Sequence, residues 1–260
     1  MMDITSLQNP RVKHVVKLRE KRQRDRDGLM LVEGYYDLEM MLASGLQPQT
    51  VYLAPELADE KPPALLNAET LTVSRMVFEK MSYRDNPDGW LAVVSTPQRT
   101  LENLTLSPSP FLLLAESVEK PGNLGAMLRT ADAAGVDALI LCDPRTDIYN
   151  PNVVRASRGT LFTVPVVQAT NQEVYDWLKS KDIKILAATP NTDFLYSEVN
   201  LKQPVALAMG TEDEGLTDFW LEKAELKVKI PMLGKVNSLN VSTSTAVLLY
   251  EVVRQRSNSD

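Results

Sequence analysis

Three stretches beyond residue 114 combine glycine, small polar and charged residues at spacings that could do chemistry. In AESVEKPGNLGAMLRTADAAGV, Ala115 to Val136, Pro121 and Gly122 turn the chain and Gly125 permits close backbone approach. Asn123 stands where it would cap the helix that follows, and a helix N-terminus is a natural anion site. Arg129 sits six residues further on, on a helix whose apolar stripe is Leu124, Met127, Leu128 and Ala131. The plainer reading pairs Arg129 with Asp132 on the helix surface. The stretch lacks the Gly-Lys-Ser/Thr of a phosphate loop and the dinucleotide glycine fingerprint.

The second stretch is ALAMGTEDEGL, Ala206 to Leu216. A strand runs into Gly210, and Gly215 closes a tight loop carrying Glu212, Asp213 and Glu214. Three carboxylates can hold a hard cation, yet the calcium-loop pattern is missing and an acidic hairpin tip reads the same way. More useful is Gly210, where backbone can meet a flat ligand, with Glu212 beside it. The third stretch, KIPMLGKVNSLNVSTSTAVLLYEVVRQR, ends a strand near Ile230 and Pro231, bends at Gly234 and crowds polar groups at the start of a helix. One or two of those groups would suffice for capping.

The rest of the composition narrows the chemistry. His14 is the only histidine and lies in a basic segment away from these loops, so proton transfer is expected to proceed without imidazole and no metal is called for. Cys142 is the only cysteine, in the apolar run ALILC, where an inert buried thiol is expected; an intramolecular disulfide and a cysteine-based metal cluster are excluded and a reducing cytoplasm fits. No run of about 18 apolar residues occurs and the N-terminus turns basic, so a soluble, unexported protein is expected.

The loops need a scaffold, and the apolar runs supply one. From Phe111 onward, strands such as FLLLAE, VDALILC, TVPVV, KILAAT, PVALAMG and LKVKIPM alternate with helical segments, among them NPNVVRASRGTLF and NQEVYDWLKSK. Strands apolar throughout and separated by helices predict a parallel sheet covered on both faces, which binds ligands at its carboxyl ends. Residues 1–96 carry a second, smaller α/β alternation, and the proline-rich 97–110 reads as a linker before a domain spanning 111–260.

The net charge of −6 argues against indiscriminate nucleic-acid binding. Within the first module, however, RVKHVVKLREKRQRD predicts one basic helix, and the eight cations Arg11, Lys13, Lys17, Arg19, Lys21, Arg22, Arg24 and Arg26 face only Glu20 and Asp25. Such a local patch attracts a phosphate backbone; a solvated helix face is the alternative.

In this order and spacing, PGNLGAMLRTADAAG, AMGTEDEGL and IPMLGKVNSLNVSTSTAVLLYE resemble the three motifs of the SpoU (TrmH) family of RNA ribose 2′-O-methyltransferases, in the SPOUT superfamily. The resemblance covers roughly 111–256 and takes in IYNPNVVRASRGTLFTVPV. The N-terminal module is similar to the small substrate-binding α/β unit of rRNA-modifying members. The resemblance implies a sheet whose C-terminal chain forms a trefoil knot, an exception to the usual rule. It implies S-adenosylmethionine held by Met209, Gly210, Ile230, Met232, Leu239 and Asn240. It implies a catalytic set of Asn123, Arg129, Glu212, Ser238 and Asn240, with Arg129 either fixing the adjacent RNA phosphate so that it accepts the proton or acting more directly; the first role is favoured because a guanidinium is a poor base.

RNA contacts are implied for Arg11, Lys13, Lys17, Arg19, Lys21, Arg22, Arg155 and Arg158. Many relatives have an acidic residue where this chain has Asn237. Ribosomal RNA is the expected substrate, ahead of tRNA, and a homodimer is expected because the last helix offers Ala246, Leu249, Tyr250 and Val253 on one face and Leu248 and Val252 on the next. The alternatives are a non-catalytic RNA-binding assembly factor and an enzyme methylating a base nitrogen.

Overall fold

The computed structural model describes residues 3–211 and 213–257, which form two compact units. One holds the chain up to Gln98 together with Asp147–Thr163; the other holds Arg99–Thr146 and the chain from Val164 onward. No helix among the described residues is long and apolar enough to cross a membrane.

The first unit is built on a four-stranded sheet of order β1-β4-β2-β3, comprising β1 (Leu29–Glu33), β2 (Pro48–Leu53), β3 (Glu69–Thr72) and β4 (Trp90–Ser95). β4 runs antiparallel to β1 and β2, while β2 and β3 are parallel. Helices α1 (Pro10–Lys17), α2 (Lys21–Asp27), α3 (Tyr35–Ala43) and α4 (Arg75–Met81) complete the first hundred residues. α1 begins where local chemistry dictates: Asn9 accepts a hydrogen bond from the Arg11 N–H at 2.9 Å, and Pro10 takes the first helical position. Its Val12 and Val15 join Leu18, Val77, Phe78, Met81 and Leu91 in one core.

Two expectations need correction here. The basic segment is not one helix, because it breaks at Leu18–Glu20 between α1 and α2. Arg24 fills the break: it is 3% exposed, and its guanidinium turns inward to donate to the carbonyls of Leu18 (2.8 Å) and Arg19 (2.6 Å) and to pair with Asp147. It thus occupies the break and leaves the surface patch. NPNVVRASRGTLF also splits, into α6 (Pro151–Ser157) and α7 (Thr160–Thr163). Arg158 and Gly159 both adopt positive φ, 50° and 82°, and a Cβ on Gly159 would lie 2.5 Å from the Cβ of Met40 on α3. Glycine is required there by conformation and by contact.

The second unit is a six-stranded parallel sheet of order β10-β8-β9-β5-β6-β7. Its strands are β5 (Phe111–Glu116), β6 (Ala138–Cys142), β7 (Val166–Ala169), β8 (Lys184–Ala188), β9 (Val205–Met209) and β10 (Leu226–Val228). β5, β6 and β9 are buried at every position, as expected for strands covered on both faces. The helices are α5 (Pro121–Ala134), α8 (Asn171–Ser180), α9 (Asp218–Lys223) and α10 (Val241–Ser257). β10 is shorter than LKVKIPM suggests, and the chain after Lys229 leaves the sheet to form a loop. α10 packs on α5 and β9 through Leu248, Leu249 and Val252, all at most 1% exposed.

Candidate active site

At the carboxyl ends of β8, β9 and β10 the second unit opens into a cavity of about 750 Å³. Met209 and Gly210 line it from the end of β9, Ile230 and Met232 from the loop after β10, and Ser238 and Leu239 from the approach to α10. Leu216, Leu221, Val228 and Leu248 give it apolar walls, with Asp213 and Glu214 from the acidic loop also on the lining. Among the described residues, the backbone groups of Ile230, Met232 and Leu239 join no backbone–backbone hydrogen bond. An apolar cleft with unspent backbone donors and acceptors suits a planar heterocycle carrying polar edges.

Gly210 sets the shape of one wall. The Thr211 N–H donates to the Gly215 carbonyl at 3.0 Å and the Gly215 N–H returns the bond at 3.2 Å, closing the turn with Gly215 at φ 74°. The turn folds back so tightly that a Cβ on Gly210 would stand 2.0 Å from the Gly215 carbonyl carbon. Glu212, expected in the catalytic set, lies outside the described residues.

Asn240 joins the first stretch to the third. Its Nδ2 donates to Asn123 Oδ1 at 3.2 Å across 117 residues, while its Oδ1 accepts from the Ser242 N–H (2.9 Å) and hydroxyl (2.7 Å) and its carbonyl from the Ser244 N–H (2.9 Å). Asn240 therefore caps α10 and binds Asn123 with one side chain. Asn123 does not cap α5: that helix starts two residues earlier, after Lys120, with Pro121 at its first position. Proline is preorganised for that position, which leaves the Asn123 amide for Asn240. Arg129 is exposed on α5. Neither Asn123, Arg129 nor Asn240 lines the 750 Å³ cavity itself.

One residue of this region escaped sequence reasoning. Glu116, ending β5, is 2% exposed and accepts from the Thr217 N–H (2.8 Å), the Thr217 hydroxyl (2.7 Å) and the Asn171 amide (2.8 Å). Asn171 in turn accepts from the Trp220 indole N–H at 2.9 Å. This network fastens the end of the acidic loop to the central strand. The only available signal was a carboxylate closing the otherwise apolar run FLLLAE. Glu116→Ala strips a buried acceptor from three donors and is expected to cost about 3 kcal/mol, read from the denaturant midpoint; an unchanged midpoint would remove Glu116 from the framework.

The sequence-expected RNA contacts fall in the first unit. Lys13, Lys17, Lys21, Arg22, Arg155 and Arg158 are exposed. Arg11 pairs with Glu69 at 2.9 Å, and Arg19 is committed to the carbonyls of Lys80 (2.7 Å) and Ser82 (2.6 Å). His14 Nε2 lies 2.7 Å from Asp27 Oδ2, and hydrogen bonding from His14, Arg26 and Gln23 holds the Asp27 carboxyl far below its ordinary range. Cys142 is buried and desolvation pushes its thiol well above the usual range, so it is an inert core residue.

Comparison with known proteins places this geometry. Residues 110–250 match the SpoU rRNA Methylase family, and residues 9–92 match the MRM3-like substrate binding domain. The chain is 31% identical over 254 residues to the Bacillus subtilis 23S rRNA guanosine 2′-O-methyltransferase RlmP, covering 97% of this chain and 99% of that one. A crystal structure of an RNA 2′-O ribose methyltransferase superposes with a TM-score of 0.86 at 43% identity, covering 98% of this chain and 99% of that chain. The SpoU methyltransferase AviRb from Streptomyces viridochromogenes, solved with AdoMet, gives a TM-score of 0.88 at 26% identity over 97% of this chain and all of that one. The chain belongs to the SpoU rRNA methylase family.

Proposed function

We propose that this chain transfers the methyl group of S-adenosylmethionine to a ribose 2′-hydroxyl of ribosomal RNA. The observation that carries the reading is the 750 Å³ cavity at the ends of β8, β9 and β10, next to which Asn240 ties the third motif to Asn123 of the first. Relatives named as 23S rRNA 2′-O-methyltransferases, over nearly the whole chain, support the substrate class. The cavity's residues fit the cofactor: Met209, Gly210, Ile230, Met232 and Leu239 would hold its adenosine between apolar walls and backbone groups, and Asn240 would fix the wall they share with α10. Bound there, the cofactor supplies a methyl group on an already activated sulfonium leaving group.

The chain's own task is then orientation and the handling of one proton. Arg129 is exposed, and its planar guanidinium fork can hold the adjacent RNA phosphate in bidentate geometry, placing that phosphate to accept the 2′-hydroxyl proton as the methyl group is transferred. Asn123, Ser238, Asn240 and Glu212 complete the reaction centre. The exposed cations of the first unit, Arg155 and Arg158 among them, contact the RNA. In this reading the passage from Lys229 to α10 is the knotted segment, and the enzyme works in the cytoplasm.

A homodimer completes the reading. Leu248, Leu249 and Val252 are spent inside the second unit, but Tyr250 is 49% exposed and shares a stripe with the partly exposed Ala246 and Val253. Light scattering at micromolar concentration is expected to give twice the 29.0 kDa chain mass, and a monomer mass would refute the dimer. For the activity, labelled S-adenosylmethionine is incubated with transcribed, unmodified rRNA and tRNA. Label is expected in rRNA and, after nuclease digestion, on ribose; label on a base or in tRNA alone overturns the assignment.

A further inference from the structure

The first unit contains a cavity that the methyl-transfer chemistry leaves unused. It is about 370 Å³ in volume, and its lining includes Tyr36, Asp37, Arg84, Asp85, Arg155 and Arg158. Tyr36 stands at the start of α3, half exposed, with the Arg158 guanidinium 5.3 Å from its ring centroid. Arg158 is held in place by the backbone: its positive φ and the glycine after it turn the chain between α6 and α7 against α3. Arg155 is exposed one turn earlier and has no ion-pair partner among the described residues.

The floor of the cavity is polar and incompletely satisfied. Asp37 is 4% exposed; one carboxylate oxygen pairs with Arg84, whereas Oδ1 is buried without a hydrogen-bond partner, as is Arg84 Nε. Burial raises the Asp37 carboxyl above the ordinary carboxylate range, against the opposing pull of Arg84. A buried acceptor with no partner is costly, and a ligand offering N–H groups would relieve it.

A half-exposed aromatic ring, a guanidinium over it, exposed cations on the lining and one buried carboxylate oxygen without a partner form a combination that suits one chemical object. We propose that this cavity takes a single unpaired nucleotide of the RNA substrate, its base stacked on the Tyr36–Arg158 pair and its phosphate on Arg155. Bases splayed from loops and bulges are commonly read by aromatic and arginine stacking, with hydrogen bonds to their edges. Asp37 and Asp85 are acceptors only when ionised, so bases with exocyclic amino groups suit the slot best.

The proposal rests on the reading that the chain works on RNA, and the test separates the two. Transcribed, unmodified 23S rRNA is titrated with the full chain in a filter-binding assay over a series of salt concentrations. Tyr36→Ala is expected to weaken binding roughly tenfold without changing the salt dependence, because stacking releases no counterions. Tyr36→Phe is expected to bind like the parent, and Arg155→Ala to bind more weakly with a log–log salt slope shallower by about one. Parent-like binding by Tyr36→Ala, equal losses in Tyr36→Ala and Tyr36→Phe, or an unchanged slope in Arg155→Ala overturns the slot. A parent that methylates rRNA beside a Tyr36→Ala variant that binds equally well sinks the slot alone. A parent that binds no rRNA sinks the slot and the RNA substrate together.

Discussion

Arg129→Ala is expected to lower the single-turnover rate of methyl transfer by on the order of 10²–10³-fold while leaving S-adenosylmethionine affinity intact. The expectation follows from placement. Arg129 is exposed on α5, two turns beyond Asn123, and the cavity assigned to the cofactor does not include it. Its loss should therefore be felt in the reaction and not in cofactor binding. Losing a group that positions the reacting RNA costs on the order of 10²-fold or more, because a misplacement of about 1 Å is enough. Arg129→Lys keeps the charge without the planar fork and should recover only part of the rate. Rapid-quench measurement with saturating cofactor checks the rate, and calorimetry checks the affinity. Full activity in Arg129→Ala would remove the phosphate-holding role.

The second large effect is at Gly210, and it should have the opposite signature. A Cβ at this position would meet the Gly215 carbonyl carbon at 2.0 Å and the Leu216 nitrogen at 2.2 Å, distances no real side chain occupies. These are backbone atoms of the loop itself, so no side chain can swing aside. The 211–216 turn must move off its own strand, taking part of the cavity wall with it. Forced overpacking of this kind costs about 1–3 kcal/mol, or about 5- to 150-fold in affinity if the cost falls on binding. Gly210→Ala is thus expected to weaken cofactor binding by one to two orders of magnitude in calorimetry, with rRNA binding unchanged. Parent-like cofactor affinity would mean that the cavity has been assigned to the wrong ligand.

Most of the scaffold was legible because it is written in local patterns. Apolar runs such as FLLLAE, ALILC and VALAM mark strands buried on both faces, and all of them lie in the parallel sheet. The loops after β5 and β9 and the approach to α10 were legible for the same reason, since glycine and small polar residues cluster where the strands end. Residues separated by long stretches of chain were not. Arg24 reads as one more cation of a basic helix, but its partner Asp147 is 123 positions away, and the guanidinium is buried at the break between α1 and α2. Asn123 reads as a cap by its neighbours, but Pro121 starts the helix and Asn240 claims the amide. Glu116 looked like the end of a strand because its donors, Asn171 and Thr217, lie 55 and 101 residues further on. The site is assembled by such long-range hydrogen bonds, and periodicity carries no information about them.

The claim that this chain is a ribose methyltransferase of ribosomal RNA is tested most directly by mapping 2′-O-methylation across the rRNA of cells with and without its gene. Loss of ribose methylation at a defined rRNA nucleotide is expected, restored by the parent gene and not by Arg129→Ala. An unchanged 2′-O-methylation map, or the loss of a base methyl group instead, would contradict it.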